Sequence, residues 1–233
     1  MLAWLGLCAP AHLCSRALGR SLWPRRFLRG VRWIVGVRVQ CVGRTVEPHT
    51  LLLANHLSWL DIPLLADVTG CAFVSKDELR GNWLMRWLCQ QHGTVFVDRS
   101  DRRGIAEQAA AMVRALERDQ PLTLFAEGTV GDGGPPLPFR PALLSAFTPP
   151  PPDTAIRPVA VDYGLAARDL AWPQGESGTA NFLRIIARRG TVPVTVHLLP
   201  PLPRLGDRKE LAREAHDAVT DALAASGIRR AAV

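Results

Sequence analysis

Short apolar runs alternate along this chain with longer stretches whose apolar residues recur every three to four positions. The first pattern marks buried strands and the second amphipathic helices. Strand-like runs fall at 39–42, 50–54, 71–75, 94–97, 122–125, 156–161 and 194–199. Helical periodicity covers 22–38, 60–68, 78–91, 103–119 and 211–225, with a shorter helix at 139–147. The Gly/Pro stretch 131–138 reads as a loop and Pro149–Pro152 as an extended turn. Strands that alternate with helices predict an α/β fold: a mostly parallel central sheet flanked by helices. With 233 residues, 48% of them hydrophobic, no internal repeat and no linker, the chain has enough apolar material for a single core. The expected division is an N-terminal amphipathic arm, residues 1–40, and one α/β domain, residues 41–233.

Charge sharpens the picture of the arm. The net charge is +7. Residues 1–50 hold eight arginines and a single acid, Glu47, while the remainder balances at twenty basic and twenty acidic residues. Projected at about 100° per residue, Trp23, Phe27, Val31, Ile34 and Val35 share one face of the 22–38 helix. Arg25, Arg26, Arg29 and Arg32 share the other, with Trp33 among them. A basic amphipathic helix with aromatics is suited to a membrane surface. The alternative is a helix packed on its own domain with a solvated arginine face. Nucleic acid is not expected, because no recognition motif accompanies the charge. Residues 1–15 carry no charged side chain but are broken by Pro10 and His12, and fall short of the ~20 apolar residues a spanning helix needs. They also lack a basic region ahead of the apolar segment, so a signal peptide is not expected.

Cysteine usage excludes two classes. The five cysteines form no Cys-x-x-Cys pair, so no zinc pattern is present. Their odd number argues against a disulfide framework and for a reducing compartment with mostly buried thiols.

Candidate chemistry sits where strands end. The run at 50–54 passes into Asn55-His56-Leu57-Ser58-Trp59-Leu60-Asp61. A histidine can take a proton near neutral pH, and a carboxylate beside it can fix its tautomer. Ser58-x-x-Asp61 also fits a helix capping box. The strand at 94–97 ends in Asp98-Arg99, where a guanidinium can bind a phosphate or carboxylate with two hydrogen bonds. The strand at 122–125 ends in Glu127-Gly128-Thr129, an acceptor of hydrogen bonds beside a glycine that lets a ligand approach the backbone. Carboxyl ends of parallel strands share one edge of the sheet, so the three clusters are expected to share a cleft.

These residues resemble the glycerolipid acyltransferases typified by 1-acyl-glycerol-3-phosphate acyltransferase. Asn55, His56 and Asp61 match the family's first block, Asn-His-x-x-x-x-Asp. Gly93, Phe96, Asp98 and Arg99 match the second. Phe125, Glu127, Gly128 and Thr129 match the third, and Ile156-Arg157-Pro158-Val159-Ala160 resembles the fourth. The likeness spans roughly residues 45–200. It departs from the family at Ala126, where proline is usual, and at Val130-Gly131, where Arg-Ser often follows. The stretch from Asp132 to Arg140 resembles a bacterial branch that includes lyso-ornithine lipid acyltransferases.

The resemblance implies transfer of a fatty acyl group from acyl-CoA or acyl-carrier protein to a lysophospholipid hydroxyl. Lysophosphatidate is the leading acceptor it implies, and a lyso-ornithine lipid the alternative. His56 and Asp61 would be catalytic; Arg99, Glu127, Gly128 and Thr129 would bind the acceptor. No cofactor, metal or acyl-enzyme is implied. The expected location is the cytoplasmic face of the inner membrane, peripheral or monotopic. A lipid-acting serine hydrolase would need Gly-x-Ser-x-Gly, which does not occur. A noncatalytic membrane- or acyl-carrier-binding protein is the remaining alternative.

Overall fold

Among the described residues, seven strands form one sheet. The structure is a computed structural model describing residues 2–17, 23–76, 83–97 and 105–231. In chain order the elements are α1 (Leu2–Ala17), α2 (Trp23–Ile34), β1 (Val37–Gly43), β2 (Thr50–Ala54), α3 (Asp61–Thr69), β3 (Ala72–Lys76) and α4 (Trp83–Gln91). β4 (Val95–Val97), α5 (Ile105–Leu116), β5 (Leu122–Phe125), a 3₁₀ turn (Pro141–Phe147) and β6 (Ala155–Asp162) follow. A second 3₁₀ turn (Gly164–Ala166) runs into α6 (Ala167–Leu170), and α7 (Gly178–Ile186), β7 (Val192–Leu198) and α8 (Arg208–Ala231) complete the chain.

The mostly parallel sheet expected from the alternating pattern is present, its strands in the order β1-β7-β6-β2-β5-β3-β4. β2 pairs in parallel with β5 and β6, β3 with β4 and β5, and β1 with β7. Among the described residues only the β6–β7 pairing is antiparallel. β2 is buried along its whole length because helices cover both faces of the sheet, which is why it reads as an unbroken apolar run. Leu52 and Ala54 pack on the α3 side with Leu64, Leu65, Val159 and Val161. Leu51 and Leu53 pack on the α5/α8 side with Leu116, Leu124, Leu144 and Leu211.

Several expectations change. β1 begins at Val37, so residue 40 lies inside a strand and the body of the fold starts before it. The helix expected at 139–147 is a 3₁₀ turn opened by Pro141. α1 and the helices between 164 and 186 had no counterpart in the sequence reading. Of the five thiols only Cys8 and Cys71 are buried; Cys14 and Cys41 are exposed and Cys89 is half-buried.

The arginine face of α2 also differs from the solvated or lipid-facing surface expected of it. Three of its four arginines face α3. Asp67, 6% exposed, accepts from Arg29 Nε at 2.5 Å and Arg32 Nε at 2.8 Å. Arg25 Nη2 donates to the Asp67 carbonyl at 2.7 Å, satisfying an acceptor left open in the last turn of α3. Three cations at the negative end of a helix are favourably placed. Arg26 instead stacks over Trp23. The Asp67→Ala variant is therefore expected to lose about 1–3 kcal/mol of stability, since Arg32 is largely enclosed while Arg29 is mostly exposed. Thermal melting checks this, and an unchanged midpoint would show that the clamp contributes nothing.

Candidate active site

Register brings the first and third clusters together. Ala54, the last residue of β2, pairs with Phe125, the last of β5, and with Val159 of β6. His56 and Glu127 each lie two residues beyond paired positions, so they emerge side by side at the carboxyl edge. Beyond Ala54 the side chain of Asn55 continues the join to β6. Its Nδ2 donates to the Val161 carbonyl at 3.0 Å, and its Oδ1 accepts from the Val161 N–H at 2.8 Å. This two-point clamp fixes the height of the β6 end against the start of α3.

Asp61 opens α3 and is fully buried. Its Oδ2 accepts from His56 Nδ1 at 2.7 Å and from the N–H groups of Leu57 and Ser58 at 2.8 and 2.9 Å. Its Oδ1 accepts from the Tyr163 hydroxyl at 2.6 Å. Four donors and the positive end of a helix stabilise the carboxylate. An ionised carboxylate can only accept, so His56 carries its proton on Nδ1 and keeps a lone pair on Nε2. The imidazole is stacked on Phe125, ring centroids 3.9 Å apart, which fixes its plane. The capping box is half realised: Asp61 reaches back to the Ser58 N–H, while Ser58 Oγ accepts from Leu60 N–H at 3.4 Å. Ser58 is buried in that role and is not a nucleophile facing a cleft.

A cleft of about 450 Å³ opens over this edge, lined by Asn55, His56, Glu127, Gly131, Tyr163 and Leu165 among others. Glu127 is 2% exposed. Burial pushes its carboxyl up to about 8, opposed by the backbone amides of His56 and Leu137 and reinforced by the nearby Asp61 charge. Its Oε2 has no hydrogen-bond partner among the described residues. Gly131 N–H donates to the His56 carbonyl at 2.7 Å, and Arg140 N–H to the Ala126 carbonyl at 2.8 Å. These two bonds pin the 131–140 loop beside the histidine.

The other expected site residues fare differently. Gly128 does not line the cleft; it is buried with φ +74°, so the turn itself requires glycine there. Thr129 is exposed and also lies outside the cleft lining. Arg99 and its neighbour Asp98 lie outside the described residues. Gly93 of the same block has φ +79° in the turn between α4 and β4, a structural duty. Tyr163 had no role in the sequence reading. Its signals were that it is the chain's single tyrosine and that it directly follows the fourth block's strand. Among the described residues no three of His, Cys, Asp and Glu gather as a metal ion would require.

The sequence model of the Acyltransferase family matches residues 38–162. A lyso-ornithine lipid O-acyltransferase of Pseudomonas aeruginosa is 34% identical over 231 residues, covering 94% of this chain and 87% of that protein. One from Brucella abortus is 34% identical over 82% of this chain and 79% of its own length. A 1-acyl-sn-glycerol-3-phosphate acyltransferase of Neisseria meningitidis is 34% identical over 51% of this chain and 47% of its own. The crystal structure of the 1-acyl-sn-glycerophosphate acyltransferase PlsC from Thermotoga maritima aligns with a TM-score of 0.60 at 20% identity, over 85% of this chain and 79% of that one. The α/β architecture is shared with it.

Glu127 gives the site a pH signature. In the unfolded chain its carboxyl ionises near 4.5, whereas the fold holds it protonated to about 8. Between those values the unfolded state sheds a proton that the native state retains, so this contribution to stability falls as pH rises through the window and is flat above it. Wild type is expected to lose stability relative to Glu127→Gln from about pH 4.5 to 8 in denaturant titrations. Parallel curves for the two proteins would refute the shift.

Proposed function

The chain belongs to the Acyltransferase family and is an acyltransferase, and from that premise we propose the following reaction and roles. A fatty acyl group passes from a thioester, acyl-CoA or acyl-carrier protein, to the free hydroxyl of a lyso-lipid seated in the cleft. The observation that carries this reading is the 2.7 Å pair of His56 with the buried Asp61 carboxylate, on a histidine that lines the cleft. His56 Nε2 removes the hydroxyl proton as the oxygen attacks the thioester carbonyl carbon. The C–S bond then breaks, and the departing thiolate takes the proton back from Nε2. Asp61 stabilises the imidazolium in between and holds the ring. Glu127, protonated at neutral pH, offers the acceptor an O–H rather than a negative charge. Arg99 is assigned the acceptor's anionic group on the strength of the second block.

A lyso-ornithine lipid is the preferred acceptor. By sequence, relatives bearing that name extend over 80–94% of this chain, whereas sequence matches named for lysophosphatidate cover 45–51%. Val130 stands where the family often has arginine, and the described lining of the cleft contains no lysine or arginine. Lysophosphatidate is the second reading, supported by the shorter matches.

We also place the enzyme at a membrane surface, on the cytoplasmic face. No described helix is long and apolar enough to cross a bilayer. β1 runs opposite to β2, so the end of α2 that leads into it lies at the same sheet edge as the cleft. There Trp33 is 77% exposed, and Leu165 at the cleft's rim is 99% exposed. Apolar side chains exposed along the edge that carries the cleft are suited to insertion among head groups.

Mass-spectrometric acyl transfer with both donors and both lyso-lipids tests the reaction. Folded His56→Ala and Asp61→Ala variants should each lose about 10²-fold or more in kcat, and near wild-type turnover would sink the dyad. Transfer to lysophosphatidate alone would reverse the order of acceptors. For the surface, Trp33→Glu combined with Leu165→Glu is expected to reduce co-sedimentation with vesicles, and unaltered binding would rule this edge out.

A further inference from the structure

We propose that Tyr163 is a positioning residue for the acyl transfer, its hydroxyl holding the Asp61 carboxylate in the orientation that keeps His56 a base. This rests on the reading that His56 is the general base, and it adds a member that arrives from a different strand. Tyr163 is 2% exposed and follows directly on the end of β6. Its O–H to Asp61 Oδ1, at 2.6 Å, spans 102 residues of chain.

The division of labour on Asp61 gives the hydroxyl its importance. Oδ2 takes the imidazole and two backbone amides, all from the segment between β2 and α3. Oδ1 has Tyr163 as its recorded donor. The local bonds hold one oxygen and leave rotation of the carboxylate about that oxygen to be set by the other. Tyr163 sets it. A carboxylate twisted out of line weakens its bond to Nδ1–H and with it the stabilisation of the imidazolium.

The sequence places the phenol there by two devices. The Asn55 clamp on Val161 sets β6 against β2 at a point two residues before Tyr163. Immediately afterwards the chain turns: Gly164 has φ +55° and donates its N–H to Asp162 Oδ1 at 2.9 Å. Tyr163 is thereby confined between a strand that is clamped and a turn that lines the cleft. The same buried surroundings, with Asp61 beside it, hold the phenol's own ionisation well above its ordinary value, so it remains a donor throughout the working pH range. Asn55 acquires a purpose in this scheme: beside the histidine in sequence, it acts by docking the strand that carries the tyrosine.

The test is Tyr163→Phe, which deletes one oxygen and keeps the ring. We expect kcat to fall about 10- to 100-fold, the range set by losing one hydrogen bond to a charged group. KM for donor and acceptor should stay within about threefold, since the phenol is aimed at Asp61 and not at a substrate. With the Tyr163 hydroxyl gone the carboxylate turns out of line and stabilises the imidazolium less. The acid limb of the kcat/KM profile, set by protonation of His56, should therefore move to lower pH. A double-mutant cycle decides whether the effect runs through Asp61. Tyr163→Phe added to Asp61→Asn should cost little further, whereas a merely structural tyrosine would impose its full loss in both backgrounds. Wild-type kcat and pH profile in Tyr163→Phe, with His56→Ala inactive in the same assay, would overturn the role of Tyr163 alone. An active His56→Ala would bring down the general-base reading and this inference together. An additive cycle would assign Tyr163 to packing.

Discussion

A negative charge with no access to water organises this molecule. Asp61 is fully buried, and a buried carboxylate persists as an anion only where donors replace its hydration. Four do so here: an imidazole, two amides and a phenol. Meeting that requirement forces the 56–61 segment to wrap around the carboxylate and brings the end of β6 within reach. The same charge adds to the burial that keeps Glu127 protonated a strand away. The acid–base character of the cleft thus combines Glu127's own burial with the charge of one desolvated neighbour.

Much of this was legible in the residues. Apolar runs ending in His56 and Glu127 implied strands whose carboxyl ends meet, and the parallel register of β2 with β5 puts them side by side. What escaped were relations that a linear pattern does not encode. Tyr163 reaches Asp61 across 102 positions, and only the register of β6 says so. Periodicity grouped the arginines of α2 on one face but could not say what that face meets. Asp67, the one acid inside α3 beyond its first residue, was the available hint. Between 164 and 186 the short helices are interrupted by Pro173 and Gly175, so no window was long enough to show a helical repeat. Gly128 was read as an opening for ligand, whereas its left-handed backbone serves the turn.

The dyad, its helix and the strands that carry it lie inside the family match at 38–162, and Tyr163 falls one residue beyond that boundary. The loop pinned at Gly131 and Arg140 lies in the stretch whose sequence suggests a particular branch of acceptors. It is tied to the His56 carbonyl and not to the imidazole.

α3 carries a further implication. It has nine residues, too few to hold a helix in isolation, and it is gripped at both ends: by the donors around Asp61 at its start and by the α2 arginines at its close. The buried carboxylate that holds His56 is thus the first residue of a helix whose far end is clamped by α2. The arm is an abutment for the helix that carries Asp61. A shortened chain that lost α2 would loosen Asp61 as well, and its inactivity would say nothing by itself about membranes.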